Sequence, residues 1–232
     1  MAHYFEYDKD LKSKEKEITV DINDVKFKFI TDNGVFSKKG LDFGTRTLLS
    51  SLNIDNIKGD VLDLGCGYGP IGIYIKKTTN SNVTMIDINK RSVELSKKNA
   101  SLNNVDVNVI ESDKYENVAG KFDYIISNPP IRVGKKILYE LLFEAKNYLK
   151  EKGQLWIVVN KDQGAKSLVE DLKTEYQVEV INKNKGFYVI CASRYWLIDL
   201  SLIKLYIDAY TFNLSYVLSK KHYNGVKKWL IQ

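Results

Sequence analysis

The feature that most constrains the fold of this chain is a short apolar run that ends in a glycine-rich turn. The run 61–64 includes one charged residue, Asp63, and is followed by Gly65-Cys66-Gly67-Tyr68-Gly69. A Gly-x-Gly-x-Gly turn between a strand and a helix lets the backbone approach a ligand closely. It also directs the free N–H groups of the helix start towards a negatively charged group. This pattern predicts a strand–turn–helix corner that binds an adenosine-type cofactor.

Strand and helix patterns alternate from residue 40 to residue 193, which is typical of a parallel sheet with helical crossovers. The last two strand patterns follow each other closely enough to be antiparallel neighbours. We therefore expect a doubly wound, Rossmann-like α/β sheet of about seven strands with an antiparallel last strand. The predicted strands are 60–64, 82–88, 106–111, 122–127, 154–160, 177–183 and 186–193, and the predicted helices are 42–53, 70–78, 90–103, 135–150 and 163–175.

A different pattern precedes this alternation. Within residues 15–30, apolar residues recur at every second position on both sides of Asn23-Asp24, which predicts a β-hairpin with one apolar face. We expect this hairpin to cover the core and not to take part in catalysis. The predicted organisation is an N-terminal extension (1–39), a cofactor-binding domain (40–193) and a C-terminal tail of unknown role (194–232).

The formal net charge of +6 suits a polyanionic partner, but this charge is unevenly distributed. The tail contains six basic residues against two acidic ones, so basicity supports a nucleic-acid partner without deciding it. The two cysteines, Cys66 and Cys191, are too few and too far apart for a zinc site, so no metal is expected. The N-terminal residues do not resemble a signal peptide, and charged residues interrupt the apolar part of the tail. A cytoplasmic location without a membrane partner is therefore expected.

Three acidic residues near strand ends help to identify the cofactor. Asp63 would repel a pyrophosphate, whereas it can accept a hydrogen bond from the α-ammonium group of S-adenosylmethionine. Asp87 ends the next strand, where a carboxylate can bind both ribose hydroxyls, although an Asp here can also cap a helix. Asp113 follows the third strand and is predicted to reach the adenine amino group, although Asp is common in turns. The predicted cofactor site includes these residues with Gly65, Gly67, Gly69 and Ile88.

The sequence Ser127-Asn128-Pro129-Pro130, at the end of the fourth predicted strand, indicates which atom is modified. An exocyclic or amide nitrogen is a poor nucleophile because its lone pair is delocalised. Two acceptors aimed at its hydrogens free that lone pair and stabilise the positive charge that develops during attack. The side-chain oxygen of Asn128 and the carbonyl of Pro129 can serve, and consecutive prolines hold the loop rigid. Asn128, Pro129 and Pro130 are therefore the predicted catalytic residues, with a rigid surface turn as the alternative.

The residues after the prolines are candidates for substrate binding. Ile131 offers only an apolar wall, so aromatic stacking on a target ring would have to come from elsewhere, with Phe36 as the candidate. Arg132, Lys135 and Lys136 could bind phosphates near a target nucleotide. The lysines could equally be the solvated first turn of a helix.

With these motifs, the chain resembles the class I methyltransferase family that makes N2-methylguanosine in small-subunit ribosomal RNA, in its short single-domain form. The resemblance covers residues 1–193 and includes Gly34–Ser37, Gly40–Thr45, the glycine turn, residues 127–136 and Gly186–Ile190. It implies that 40–193 is an S-adenosylmethionine-dependent methyltransferase domain and that ribosomal RNA or an assembling small subunit is the partner. It also implies that Phe36 to Thr45 lines the pocket, with Gly44 and Thr45 nearest the methionine moiety.

Other functions remain open from the sequence alone. Methylation of a glutamine amide in a protein, or of adenine N6, would use the same Asn-Pro-Pro chemistry. A nucleotide-dependent oxidoreductase is a rival from another enzyme class, which Asp63 argues against. A non-catalytic RNA-binding module is disfavoured because the Asn128 loop is intact.

Overall fold

The computed structural model describes residues 11–130 and 134–194. Two of the predicted substrate contacts, Ile131 and Arg132, lie outside the described residues. The same is true of residues 1–10 of the predicted N-terminal extension and of the predicted tail beyond Arg194.

The described chain contains nine strands and five α-helices in the predicted alternation. The strands are β1 (Lys16–Ile22), β2 (Val25–Thr31), β3 (Asp60–Leu64), β4 (Asn82–Asp87), β5 (Asn108–Glu111), β6 (Phe122–Ser127), β7 (Leu149–Asn160), β8 (Tyr176–Asn184) and β9 (Phe187–Arg194). The helices are α1 (Phe43–Ser51), α2 (Pro70–Thr78), α3 (Lys90–Leu102), α4 (Lys135–Tyr148) and α5 (Ala165–Leu172).

Seven strands form one sheet in the order β5-β4-β3-β6-β7-β9-β8. The first five of these are parallel, and β9 runs antiparallel to both β7 and β8. The predicted seven-stranded fold with an antiparallel last strand is therefore confirmed. The strand order reverses beside β3, which has β4 on one side and β6 on the other. In open α/β sheets such a switch point leaves a ligand-binding crevice at the carboxyl ends of the strands.

Side chains that alternate along each sheet strand pack into two separate hydrophobic cores. In β3, Val61 packs with the hairpin and α1 to α3, whereas Leu62 packs with α4 and α5 on the opposite face. Both residues are fully buried. Continuous apolar strands of this kind are expected where helices cover both faces of a parallel sheet.

The predicted N-terminal hairpin is present as β1 and β2, joined by Asn23 and Asp24. Both turn residues have positive φ angles, 47° and 66°, as a tight two-residue hairpin turn requires. Val20, Ile22, Phe27 and Phe29 are buried in the first core, so the hairpin covers that core as expected.

Two asparagines of α3 hold the outer edge of this hairpin. The Asn99 amide accepts from the Ile30 N–H (2.6 Å) and donates to the Ile30 carbonyl (2.9 Å), while Asn103 pairs in the same way with Lys28. Asn99 and Asn103 lie one helical turn apart, and together they replace a neighbouring strand. The hydrogen bonds of the β2 edge are thereby satisfied without a further strand.

Two predicted boundaries were wrong near the centre of the chain. Helix α4 ends at Tyr148 instead of 150, and β7 begins at Leu149 instead of 154, because buried Leu149 already pairs opposite Phe122. The register then shifts at Gly153, where an added Cβ would lie 2.8 Å from the Phe122 carbonyl oxygen. Gly153, which lies between the predicted helix 135–150 and the predicted strand 154–160, is therefore part of an irregularity within β7.

Asn99→Ala is expected to lower the free energy of unfolding by about 3 kcal/mol, because it leaves buried backbone groups of Ile30 and Tyr68 without partners. Urea denaturation of the full chain measures this loss. Asn108→Ala, at an exposed position on β5, is the matched control and should change stability by less than about 0.5 kcal/mol. Equal losses in the two variants would contradict a role for Asn99 as a strand substitute.

Candidate active site

A cavity of about 690 Å³ opens at the carboxyl ends of the parallel strands. It lies at the switch point between β4, β3 and β6, where the fold class predicts a ligand site. Most of the predicted site residues line it. Those that do are Phe36, Thr45, Gly65, Gly67, Asp87, Ile88, Asp113, Asn128, Pro129 and Pro130.

The glycine turn forms the floor of this cavity. Gly65 and Gly67 have φ angles of 72° and 58°, and an added Cβ at either position would meet no atom within 4 Å. The backbone at these two residues is therefore directly accessible to a ligand. Gly69 differs, because it does not line the cavity and its added Cβ would lie 2.9 Å from Ile73 and Met85. Its small size serves helix–sheet packing.

The carboxylate of Asp87 ties the end of β4 to the glycine turn. Its two oxygens accept from the N–H groups of Gly67 and Asn89, both at 2.8 Å. The N-cap of α3 is Asn89, which accepts from the Arg91 N–H, so Asp87 is not the helix cap itself. Burial raises the pKa of Asp87 to about 6, against the effect of these two hydrogen bonds. Each oxygen retains a lone pair for a hydroxyl donor of a ligand.

Asp63 is fully buried beside α2. One of its oxygens accepts from the Gly72 N–H at 2.8 Å, and the other, Oδ1, has no hydrogen-bond partner among the described residues. Burial raises the pKa of Asp63 to about 7, the Gly72 hydrogen bond opposes the shift, and the Asp87 charge adds to it. Asp63 does not line the cavity, so a ligand group would reach it through a bridging water or a small movement of the turn. An unpaired buried acceptor fits a cationic group such as an ammonium.

One end of the cavity combines apolar walls with the polar loop that follows β5. Ile88 and Ile137, both unusually exposed for isoleucine, line this end together with Asp113. The loop that contains Asp113 is anchored by buried Tyr115, whose hydroxyl donates to the Leu141 carbonyl at 2.9 Å. Two apolar walls beside a carboxylate suit a flat heteroaromatic ring that carries an amino group.

The side chain of Asn128 has a fixed orientation. Its Nδ2 donates to Thr45 Oγ1 at 2.9 Å and lies 3.3 Å from both carboxylate oxygens of Asp42. Because a carboxylate only accepts hydrogen bonds, the amide nitrogen must face Asp42. The Asn128 carbonyl oxygen is therefore directed away from Asp42, and no residue that the structure describes donates a hydrogen bond to it. The loop itself is tied to β3, since Ser127 Oγ donates to the Leu64 carbonyl at 2.6 Å.

Asp42 is a functional candidate that the sequence did not reveal. It is the N-cap of α1, where it accepts from the N–H groups of Gly44 and Thr45. A capping Asp is readable from sequence, but its approach to Asn128 depends on how α1 packs across the sheet. Gly44 does not line the cavity, and its added Cβ would lie 2.9 Å from the Phe187 ring, so it allows α1 to pack closely there.

The predicted substrate residues separate into two groups. Phe36 lines the cavity and is 49% exposed. Lys135 and Lys136 do not line it, and Lys135 pairs with Asp171 at 3.7 Å above the Tyr139 ring.

Further lining residues come from the antiparallel part of the sheet. Asn160 ends β7, Phe187 begins β9, and the two are directly paired across the strands. Both line the cavity, as does Gln163. Their proximity could not be anticipated because it depends on the register between β7 and β9.

In residues 11–130 and 134–194, no group of three or more His, Cys, Asp or Glu side chains could hold a metal ion. None of the helices described there is long and apolar enough to cross a membrane.

Comparison with known proteins gives one family and several relatives. The model of the methyltransferase small domain family matches residues 26–191. The uncharacterized protein YbxB of Bacillus subtilis is 41% identical over 197 residues, which cover 83% of this chain and 98% of YbxB. Ribosomal RNA small subunit methyltransferase C of Haemophilus influenzae (strain Rd) is 44% identical over 150 residues, or 62% of this chain. That match covers 45% of the H. influenzae protein, so the chain spans about half the length of this relative.

Among solved structures, a T. thermophilus 16S rRNA N2 methyltransferase in complex with AdoMet and guanosine has a similar fold. The TM-score is 0.72 over 80% of this chain and 52% of that one. At 24% identity, this likeness is one of fold.

Asp63→Asn is expected to stabilise the ligand-free protein more at pH 8 than at pH 5. The folded pKa of about 7 exceeds the ordinary 3.8, so ionisation of Asp63 lowers stability progressively as the pH rises from 3.8 to about 7, and the loss is complete above that pH. The difference between the two pH values should be about 3 kcal/mol in urea denaturation. Exposed Asp113→Asn is the control, and parallel pH profiles for the two variants would contradict a raised pKa at Asp63.

Proposed function

The chain belongs to the methyltransferase small domain family, and we propose that it transfers a methyl group from S-adenosylmethionine to the exocyclic N2 of a guanine in small-subunit ribosomal RNA. The observation that carries this proposal is the side-chain amide of Asn128, which lines the cavity and has its nitrogen held by Thr45 and Asp42. The names of the H. influenzae and T. thermophilus relatives support the choice of substrate. Membership of this family argues against the nucleotide-dependent oxidoreductase and the non-catalytic RNA-binding module, the two alternatives from other classes that the sequence left open.

The residues around the cavity fit S-adenosylmethionine, which supplies an electrophilic methyl group. Gly65 and Gly67 present open backbone for the methionine carboxylate, and the unpaired oxygen of Asp63 matches its ammonium group. Asp87 has lone pairs for the ribose hydroxyls. Ile88 and Asp113 provide the apolar wall and the acceptor for adenine.

Asn128 and Pro129 activate the target nitrogen. The Asn128 carbonyl and the Pro129 carbonyl accept the two hydrogens of the guanine amino group, which favours a pyramidal nitrogen with an available lone pair. Asp42 assists Asn128, because its negative charge 3.3 Å from Asn128 Nδ2 polarises the amide and strengthens its carbonyl as an acceptor. The positive charge that develops on nitrogen is stabilised by the same carbonyls. No general base with a shifted pKa is required.

The target base must leave any RNA duplex before it reaches the Asn128-Pro129-Pro130 loop. Guanine N2 makes a Watson–Crick hydrogen bond in paired RNA, so an unpaired or flipped nucleotide is the substrate. Naked ribosomal RNA or an assembling small subunit can present such a nucleotide. Phe36 and Phe187 are the aromatic side chains at the cavity that can stack on it.

The test is to incubate the full chain with unmodified small-subunit ribosomal RNA and labelled S-adenosylmethionine, and to identify the methylated nucleoside by mass spectrometry. N2-methylguanosine is expected. Asn128→Ala should lower kcat by about 10²-fold or more with little change in cofactor affinity, because its contact strengthens in the transition state. N6-methyladenosine as the sole product would overturn the proposal, as would label that appears only as methylglutamine when ribosomal proteins are added.

Asp42→Asn separates orientation from chemistry in the same assay. Asn at this position can still cap α1, but it carries no charge to hold and polarise the Asn128 amide. We expect kcat to fall by about tenfold while the cofactor Kd is unchanged. Asp55→Asn, in an exposed turn, is the control.

Phe36→Leu and Phe187→Leu should each raise the KM for RNA by about tenfold, since base–aromatic stacking contributes about 1–3 kcal/mol. The cofactor KM should not change. Phe143→Leu is a matched control, because the Phe143 ring lies 5.6 Å from the Tyr139 ring without lining the cavity. If Phe36→Leu behaves like Phe143→Leu, the prediction of stacking at Phe36 is wrong.

A further inference from the structure

Two exposed lysines border the cavity on the side of the antiparallel strands. Lys161 follows Asn160 at the end of β7, and Lys185 lies in the two-residue turn between β8 and β9. The Lys161 N–H donates to the Gly186 carbonyl at 2.7 Å, which joins the two loops. An added Cβ on Gly186 would lie 3.4 Å from Lys161 Cε, so the lysine stem runs along this turn.

The turn that carries Lys185 is rigid and close to the cavity wall. Lys185 and Gly186 have φ angles of 45° and 85°, the left-handed pair of a tight hairpin turn. Lys185 Nζ lies 5.3 Å from the centre of the Phe43 ring, and that ring packs 5.7 Å from Phe187, which lines the cavity. One aromatic ring therefore separates the ammonium group from the cavity wall.

Neither lysine has an acidic partner within ion-pair distance in the part of the chain that the structure describes. No ion pair within residues 11–130 and 134–194 includes Lys161 or Lys185, and neighbouring Asp162 forms none with Lys161. Lys135 differs, because Asp171 lies 3.7 Å from its Nζ and also accepts from the Tyr139 hydroxyl. Lys161 and Lys185 therefore leave two positive charges beside Asn160 and Phe187, which line the cavity.

We propose that Lys161 and Lys185 bind the backbone phosphates that flank the target nucleotide in the RNA. This inference rests on the proposed function, because a base inserted into the cavity leaves its adjoining phosphates at the mouth. Cations at that mouth hold the strand in register without reading its sequence. Their binding releases counterions, so each contact contributes to the salt dependence of RNA affinity.

The test compares RNA binding by the full chain and by the double variant Lys161→Ala/Lys185→Ala at several salt concentrations, with unmodified small-subunit ribosomal RNA as the probe. Loss of two contacts to a single strand should reduce the log–log salt slope by about 1.4. The KM for RNA should rise while the KM for S-adenosylmethionine stays the same. Lys161→Arg/Lys185→Arg should restore the parental slope.

Lys58→Ala/Lys121→Ala is the matched control, since these exposed lysines precede β3 and β6 at the opposite edge of the sheet. It removes the same charge and should keep the parental slope. An unchanged slope in Lys161→Ala/Lys185→Ala, or an equal decrease in the control, overturns the assignment of these two lysines.

Product analysis separates this outcome from failure of the proposed function. A parent protein that makes N2-methylguanosine while the double variant keeps its slope refutes only the phosphate contacts. A parent that binds RNA with the expected difference in slope but methylates another group refutes only the guanine assignment. A parent that does not bind RNA overturns both.

Discussion

Two acidic side chains, buried Asp63 and half-buried Asp87, fix the backbone at and just after the glycine turn, and the floor of the cavity depends on them. Asp87 bonds to the turn itself through Gly67, and Asp63 bonds to Gly72 in the first turns of α2. Burial raises the pKa of both groups, and the charge of Asp87 adds to the shift at Asp63. Keeping two such acids in the protein interior is unfavourable for the empty fold. A ligand that brings an ammonium group and two hydroxyl donors would offset this cost, which is the role that the proposed function assigns to S-adenosylmethionine.

A second set of constraints orients the catalytic amide. Asn128 is attached to β6, but its side chain is set by Asp42 and Thr45 at the start of α1, on a different part of the chain. The same Asp42 carboxylate caps α1, so helix position and amide orientation are coupled. A shift of α1 would therefore alter the acceptor geometry without touching the Asn-Pro-Pro loop. The segment before the first strand of the seven-stranded sheet therefore contributes Asp42 and Thr45 to the lining of the cavity.

The sequence predicted the elements whose boundaries are local. The predicted boundaries of β3, α2 and β6 agree with the structure because Gly, Pro and apolar runs within or next to these elements define them. The start of β7 could not be predicted, since it depends on Leu149 pairing across a register shift. The cofactor end of the cavity was anticipated because parallel strands bring their carboxyl ends to one edge. The contacts of Asp42 with Asn128, and of Asn160 with Phe187, depend on long-range packing and register that no local pattern encodes.

The two ends of the cavity differ in how completely the protein builds them. At the cofactor end, Asp63 and Asp87 are held by backbone hydrogen bonds within the packed sheet. At the other end, Phe36 is half exposed and Lys161 and Lys185 are exposed, so a bound substrate would supply part of the wall. The chemistry proposed for the Asn128 loop suits any amino nitrogen whose lone pair is delocalised. Under the proposed function, the choice of a guanine over an amide or an adenine would therefore come from the rim of the cavity, where Phe187, Lys161 and Lys185 lie.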